Sequence, residues 1–104
     1  MRWHFTDGWS LGELSADVAM TADYELKAEE KLPFLTFACS AASKTLTLGL
    51  EPGDHMILTN TGGTNAVTVK NIEGDTGVSV AKGKVALAIG GTSTADTFTC
   101  LVLN

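Results

Sequence analysis

The chain has little with which to do bond chemistry and few charges with which to hold a polyanion. Its 104 residues include two histidines, two cysteines and two prolines, and Arg2 is the only arginine. Nucleophilic catalysis needs a Ser, Thr or Cys beside a base, and only His4 and His55 can supply an imidazole. Neither stands in a Gly-x-Ser-x-Gly setting, and His55, just after a turn at the start of a strand-like run, reads as solvent-facing. No Cys-x-x-Cys pair occurs, which excludes a zinc ribbon and a thioredoxin-type site. Cys39 and Cys100 both fall in apolar segments and read as buried free thiols, although spacing alone does not decide whether they pair. The six lysines (Lys27, Lys31, Lys44, Lys70, Lys82 and Lys84) form no cluster, and the net charge is −5. Phosphate binding wants a positive patch, so neither nucleic acid nor an anionic membrane surface is expected as a partner. No apolar run approaches the roughly 20 residues that span a bilayer. Met1 to Asp7 lacks the apolar stretch of a secretory signal, so a soluble chain made in the cytosol is expected.

Charge is scarce overall. Charged residues make up 18% of the chain and hydrophobic ones 44%, against a usual charged share of about 25%. A domain of this size buries about two-thirds of its unfolded surface. Too few charges to cover the remainder favour an oligomer, in which another chain hides part of the surface, over a monomer with a Thr/Ser-rich exterior.

What is abundant is alternation. From Lys44 onward, Thr45-Leu46-Thr47-Leu48, Met56-Ile57-Leu58-Thr59, Val67-Thr68-Val69, Val78-Ser79-Val80, Val85-Ala86-Leu87-Ala88-Ile89 and Thr97 to Leu103 place apolar side chains at period two. That period marks strands with one buried and one exposed face. Pro33-Phe34-Leu35-Thr36-Phe37-Ala38-Cys39 is apolar on both faces, as a central or interface strand would be. Glycine-bearing turns separate the runs. Glu51-Pro52-Gly53-Asp54 has the composition of a type II turn, and Asn60 to Asn65 that of a hairpin loop returning antiparallel to Ala66–Lys70.

These features predict an all-β fold, a small antiparallel β-sandwich or barrel (jelly-roll-like) of about six to eight short strands, with no helical crossover to make parallel pairs. Residues 33–104 form the predicted β-domain and residues 1–32 an N-terminal arm. Within that arm Trp3, Phe5 and Trp9 have no helical or strand period, as in a tail that packs back or an adhesive segment that orders on a partner. Tyr24 to Lys31 fits a short helix or a strand.

Several motifs resolve into turn chemistry. Asp75-Thr76-Gly77 matches the aspartic-protease string, but only one copy exists and it follows no hydrophobic strand, so it reads as a turn. Asp54, Glu73 and Asp75 lack the ligand spacing of a calcium loop. Gly62-Gly63 and Gly90-Gly91 lack the following Lys-Ser/Thr and helix of a phosphate loop. No catalytic residue, cofactor or metal is expected, and the chain is expected not to be an enzyme. Ala86 and Ala88 lie opposite Val85, Leu87 and Ile89, while Leu101 and Leu103 lie opposite Phe98, Cys100 and Val102. Strands apolar on both sides mark either a subunit interface, with Ala86, Ala88, Leu101 and Leu103 as its candidates, or strands lying under the N-terminal arm.

The string Leu46 to Val69 carries a resemblance: a Thr/Leu strand, Pro52-Gly53-Asp54, an apolar strand closing on Asn60-Thr61-Gly62, then Asn65-Ala66-Val67-Thr68-Val69. With Val80-Ala81-Lys82-Gly83-Lys84-Val85 and the closing strand, it resembles β-domains of tailed-bacteriophage head-fibre, capsid decoration and tail-fibre proteins over residues 34 to 104. The resemblance implies a structural protein on the virion surface, a symmetric homo-oligomer with a trimer favoured, and the major capsid protein as partner. Trp3, Phe5 and Trp9 are then the candidate capsid anchor. The alternative is a tail-fibre or adhesin-like module that binds surface glycans or a receptor.

Overall fold

The computed structural model describes residues 15–62 and 64–103. The alternating runs form strands, as their β-branched and aliphatic residues at period two require. There are nine among the described residues: β1 (Ser15–Met20), β2 (Tyr24–Glu25), β3 (Phe34–Cys39), β4 (Lys44–Thr47), β5 (His55–Asn60), β6 (Val67–Lys70), β7 (Val78–Val80), β8 (Val85–Ile89) and β9 (Thr99–Val102). The segment left open between helix and strand divides into β2 and a single 3₁₀ turn, Ala28–Glu30. The Glu30 carboxylate fixes that turn, accepting the Lys27 backbone N–H at 2.9 Å and the Tyr24 hydroxyl at 2.8 Å. Hydrogen bonding to this carboxylate holds the Tyr24 hydroxyl's pKa above its ordinary value, with smaller contributions from burial and the charges of Glu30 and Glu29.

Two sheets face each other, a five-stranded one in the order β1-β3-β5-β8-β9 and a four-stranded one in the order β2-β4-β6-β7. The fold is all-β and sandwich-like, but it is not antiparallel throughout. β1, β3 and β5 run parallel to one another, as do β2, β4 and β6, while β7, β8 and β9 join antiparallel. Parallel neighbours need a long connection, and the opposite sheet supplies it. The chain crosses from β3 to β4, then returns to β5 beside β3, winding a flattened coil with no α-helix among the described residues. Asn60–Asn65 is therefore an arch between sheets rather than a hairpin, and Val67–Lys70 pairs in parallel with Lys44–Thr47.

The expected arm boundary also moves. β1 pairs with β3 over six residues, from Ser15↔Phe34 to Met20↔Cys39, and Val18, Met20 and Leu26 are core residues. Residues 15–32 thus belong to the β-domain. β1 turns Ala16, Val18 and Met20 inward and Ser15, Asp17 and Ala19 outward, an alternation weakened by its alanines, and β2 is only two residues long.

Between the sheets the coil stacks like on like. Ala16, Leu35 and Leu58 share one inward row, Tyr24, Leu46 and Val69 another. Val18, Phe37 and Asn60 form a third row, in which a buried amide continues an apolar stack. Asn60 is wholly buried, which is costly unless each polar atom is bonded. Its Nδ2 donates to the Val80 carbonyl at 2.9 Å and to the Asn65 carbonyl at 3.0 Å, and its Oδ1 accepts the Gly62 N–H at 2.9 Å. The arches stack as well: Ser40 N–H bonds the Met20 carbonyl, Thr61 N–H the Phe37 carbonyl, and Asn65 Nδ2 the Cys39 carbonyl at 2.8 Å.

Two substitutions on this third row test the packing. Phe37→Ala opens a cavity between the sheets and should lose about 3–5 kcal/mol of unfolding free energy. Asn60→Ala strands two arch groups and the last carbonyl of β7 and should lose about 2–3 kcal/mol. Urea titration of each variant against the parent measures both, and a loss confined to a few tenths of a kcal/mol would remove the arch from the account.

Candidate functional site

The two outer sheet faces differ in kind. On the four-stranded sheet the outward rows are Glu25, Thr47 and Lys70, then Thr45, Thr68 and Ser79. A shallow depression of about 450 Å³ lies there, lined by Asp23, Glu25, Thr45, Thr47, Lys70 and Glu73 among others. It has both signs of charge and no aromatic side chain. This is a water-facing surface.

The five-stranded sheet turns the opposite chemistry outward. Its register places Ser15, Phe34, Ile57, Leu87 and Leu101 in one row across all five strands. Phe34 is 43% exposed, Ile57 36% and Leu101 55%. Val85 and Ile89 flank Leu87 on the same face, and Leu103 follows beyond β9 at 57% exposure. Monomers seldom leave a contiguous apolar patch of this kind uncovered.

The structure redistributes the expected contact residues. Leu101 and Leu103 are exposed, but Ala86 and Ala88 are wholly buried and face the core. They have no surface with which to touch another subunit. The reason is volume: Ala86 pairs with Leu58 and Ala88 with Met56, so the small side chains fit beside large ones inside. The outward set of β8 is Val85, Leu87 and Ile89. Sequence reading missed Ile57, whose signal was an apolar residue on the face that also carries Thr59, and Leu87, whose signal was a large residue on the face opposite two alanines. Trp3, Phe5, Trp9 and His4 lie outside the described residues.

Elsewhere the polar groups serve the backbone. Asp75 is 3% exposed. Its Oδ2 accepts the N–H groups of Asn71 (2.9 Å) and Ile72 (3.0 Å), and its Oδ1 that of Asp96 (2.6 Å). Burial pushes this carboxyl's pKa up. The bonds from Ile72, Asp96 and Asn71, with the nearby Lys70 charge, outweigh burial and hold it below the ordinary value. Asp96 answers by accepting the Thr76 N–H at 2.6 Å. Gly77 completes the turn at φ +84, and a Cβ there would sit 2.6 Å from Thr68 Cγ2. Asp-Thr-Gly here clasps two loops together.

His55 is exposed at the start of β5. Cys39 and Cys100 are free, with burial pushing the Cys100 thiol's pKa up. Among the described residues no group of three or more His, Cys, Asp or Glu could hold a metal ion, and no helix is long and apolar enough to cross a membrane. Compared with known proteins, the chain matches no family model, no curated protein and no solved structure.

The Asp75 clasp has a definite pH signature. A carboxylate whose folded pKa is depressed contributes stability that is complete above the unfolded value of about 3.9 and is lost as pH falls through the folded value. Thermal unfolding of the parent should therefore weaken over that acid window, and Asp75→Asn should flatten this part of the profile while lowering stability at neutral pH. An unchanged acid limb in the variant would show that the clasp carries no linkage.

Proposed function

We propose that this chain is a structural protein of a bacteriophage particle, a head-fibre or capsid decoration protein seated on the capsid exterior as a symmetric oligomer. The observation that carries the reading is the contrast between its sheet faces. A folded domain with a wet Thr/Lys/Glu face and an apolar Phe34–Ile57–Leu87–Leu101 face is suited to lying against a larger protein surface. Burial of that row would stabilise the attachment by the hydrophobic effect, at about 25 cal/mol per Å² before the ordering costs of association. No reaction enters this role.

The sequence resemblance supplies the virion context. Leu46 to Val69, the string that carries it, spans β4, β5 and β6 and the arches that join them. Trp3, Phe5 and Trp9 are the proposed anchor on the major capsid protein, because aromatic side chains supply much of the binding energy at interfaces. Glycan recognition has less support. The polar depression lacks an aromatic platform, and the nearby Tyr24 hydroxyl is already bonded to Glu30.

Protein mass spectrometry of density-purified particles from the encoding virus or prophage tests the reading directly. The chain should be present at a fixed ratio to the major capsid protein, and its absence would refute the virion role. Two variants sharpen it. A chain lacking residues 1–12 should keep its β-sheet circular dichroism and disappear from particles. Ile57→Glu, on the outer face of a central strand, should cost about 1–2 kcal/mol of stability and keep the β-sheet circular dichroism while particle occupancy falls. Normal occupancy in both variants would leave the anchor and the apolar face without a role.

A further inference from the structure

We propose that β9 is a self-pairing edge, at which two copies of this chain join their five-stranded sheets into one. The inference deepens the oligomer reading above, and rests on it, by naming the contact and the partner. The two sheets are unequal. Among the described residues β9 is the fifth strand of its sheet and the facing sheet has four, so β9 projects past the strands that face it. Val102 pairs with the inward-facing Ala86 yet is 40% exposed. Leu101, on the outward side, is 55% exposed. Cys100 packs against the core, but from Leu101 onward the strand is open on both faces, and among the described residues no strand pairs with its outer edge.

The other sheet edges are guarded against such pairing and β9 is not. Exposed strand edges are normally kept apart by charges, by extreme shortness or by cover. β1 carries the exposed Asp17, β2 is two residues long and carries Glu25, and β7 is three residues long with Lys82 and Lys84 beyond it. From Thr97 to Leu103 there is no charge, no proline and no glycine. Since the net charge of −5 lies elsewhere on the chain, two copies can meet at this strand without bringing like charges together.

Backbone direction fixes the register. Leu103 N–H donates to the Val85 carbonyl at 2.7 Å. Antiparallel ladders alternate, so Thr99 and Leu101 also turn their backbone groups toward β8, and Cys100 and Val102 turn theirs to the free edge. A twofold axis through Leu101, perpendicular to the sheet, then sets Cys100 of each copy opposite Val102 of the other. Four N–H···O bonds result. Leu101 meets its own copy, Thr99 meets Leu103, and every pair shares a sheet face. The interface is isologous and closes at two copies, where the resemblance implies three. It also extends the Phe34–Ile57–Leu87–Leu101 row through the axis into the partner's row, doubling the apolar face on one side. Edge pairing of five residues buries less than the about 800 Å² per partner of a standard interface, so the pair is reversible in solution and is reinforced where copies sit side by side.

Disulfide trapping of the full-length chain tests the contact. In a Cys100→Ser background, Leu101→Cys should cross-link under mild oxidation about tenfold or more faster than Ser79→Cys, because pairing raises the local thiol concentration. A mixture of Thr99→Cys and Leu103→Cys chains should form the mixed dimer in preference to either homodimer. Adding Val102→Pro, which deletes an edge-facing N–H and leaves the β8 bonds in place, should remove the rate advantage of Leu101→Cys. Equal rates for Leu101→Cys and Ser79→Cys, or no preference for the mixed dimer, would overturn the self-pairing edge. If the chain is present on particles but trapping shows no preference, this contact falls and the virion role stands. Efficient trapping with the chain absent from particles gives the converse.

Discussion

The fold depends on matching inward residues at the same height in successive coils. Parallel register sets Leu35 beside Leu58 and Leu46 beside Val69, so an apolar side chain in one coil is buried only if the next coil presents another. The register cannot slip by one residue, since that would turn every inward side chain outward. The arches must then turn at matching positions, and buried amides hold them there. Asn60 bonds both limbs of its own arch and β7's last carbonyl. At the opposite end of the coil Asn71 is 2% exposed. Its Oδ1 accepts the Leu50 N–H at 2.7 Å and its Nδ2 donates to the Leu50 carbonyl at 3.1 Å. A side-chain amide there takes the place of a strand's backbone.

How the coil stops determines what the molecule offers. After β6 the chain no longer returns in parallel: β7 turns back on β6, and β8 and β9 add antiparallel to β5. Reversal uses three strands for two sheets, so one sheet gains a strand more than the other. The uncovered strand and the apolar outer row thus belong to the same sheet. The other sheet carries the threonines, Lys70 and Glu25, and faces water.

Alternation made seven strands legible, from Phe34 to Val102, because period-two patterning is a local property of the chain. Pairing is not local. Asn60 to Asn65 has the composition of a hairpin loop, and composition does not distinguish a turn within one sheet from an arch between two. What separates them is Asn60 itself: a buried amide at a strand end needs partners on several segments, here Asn65 and Val80. β8 shows a second limit. With Val85, Leu87 and Ile89 on one side and Ala86 and Ala88 on the other, both faces are apolar, and only the neighbours Met56 and Leu58 determine that the small residues go inward. β1 escaped notice because alanines stand on both of its faces and weaken the contrast between them, and Tyr24–Glu25 stayed open between helix and strand because two residues show no period. The turn reading of Asp75-Thr76-Gly77, by contrast, follows from ordinary loop chemistry and agrees with the bonds found.

The buried acid joins these levels. Asp75 sits in the loop after β6, bonded to the backbone of Asn71, and Asn71 holds Leu50. Its second oxygen reaches the Asp96 N–H, three residues before β9 begins. Asp96 occupies φ 62, a conformation unusual for a non-glycine residue, and returns a bond to Thr76. The position from which β9 starts is therefore tied through two carboxylates to the coil's own turn. A β8–β9 loop held only by solvent would leave β9 free to fray. Among the described residues it pairs with one strand, and of its inward side chains Cys100 packs on the core while Val102 is 40% exposed. With the loop clasped, β9 stays in register with β8, and its edge-facing groups keep the spacing that a paired strand requires. The chain's few buried polar residues thus act as fasteners, setting which apolar surfaces are hidden and which remain available for assembly.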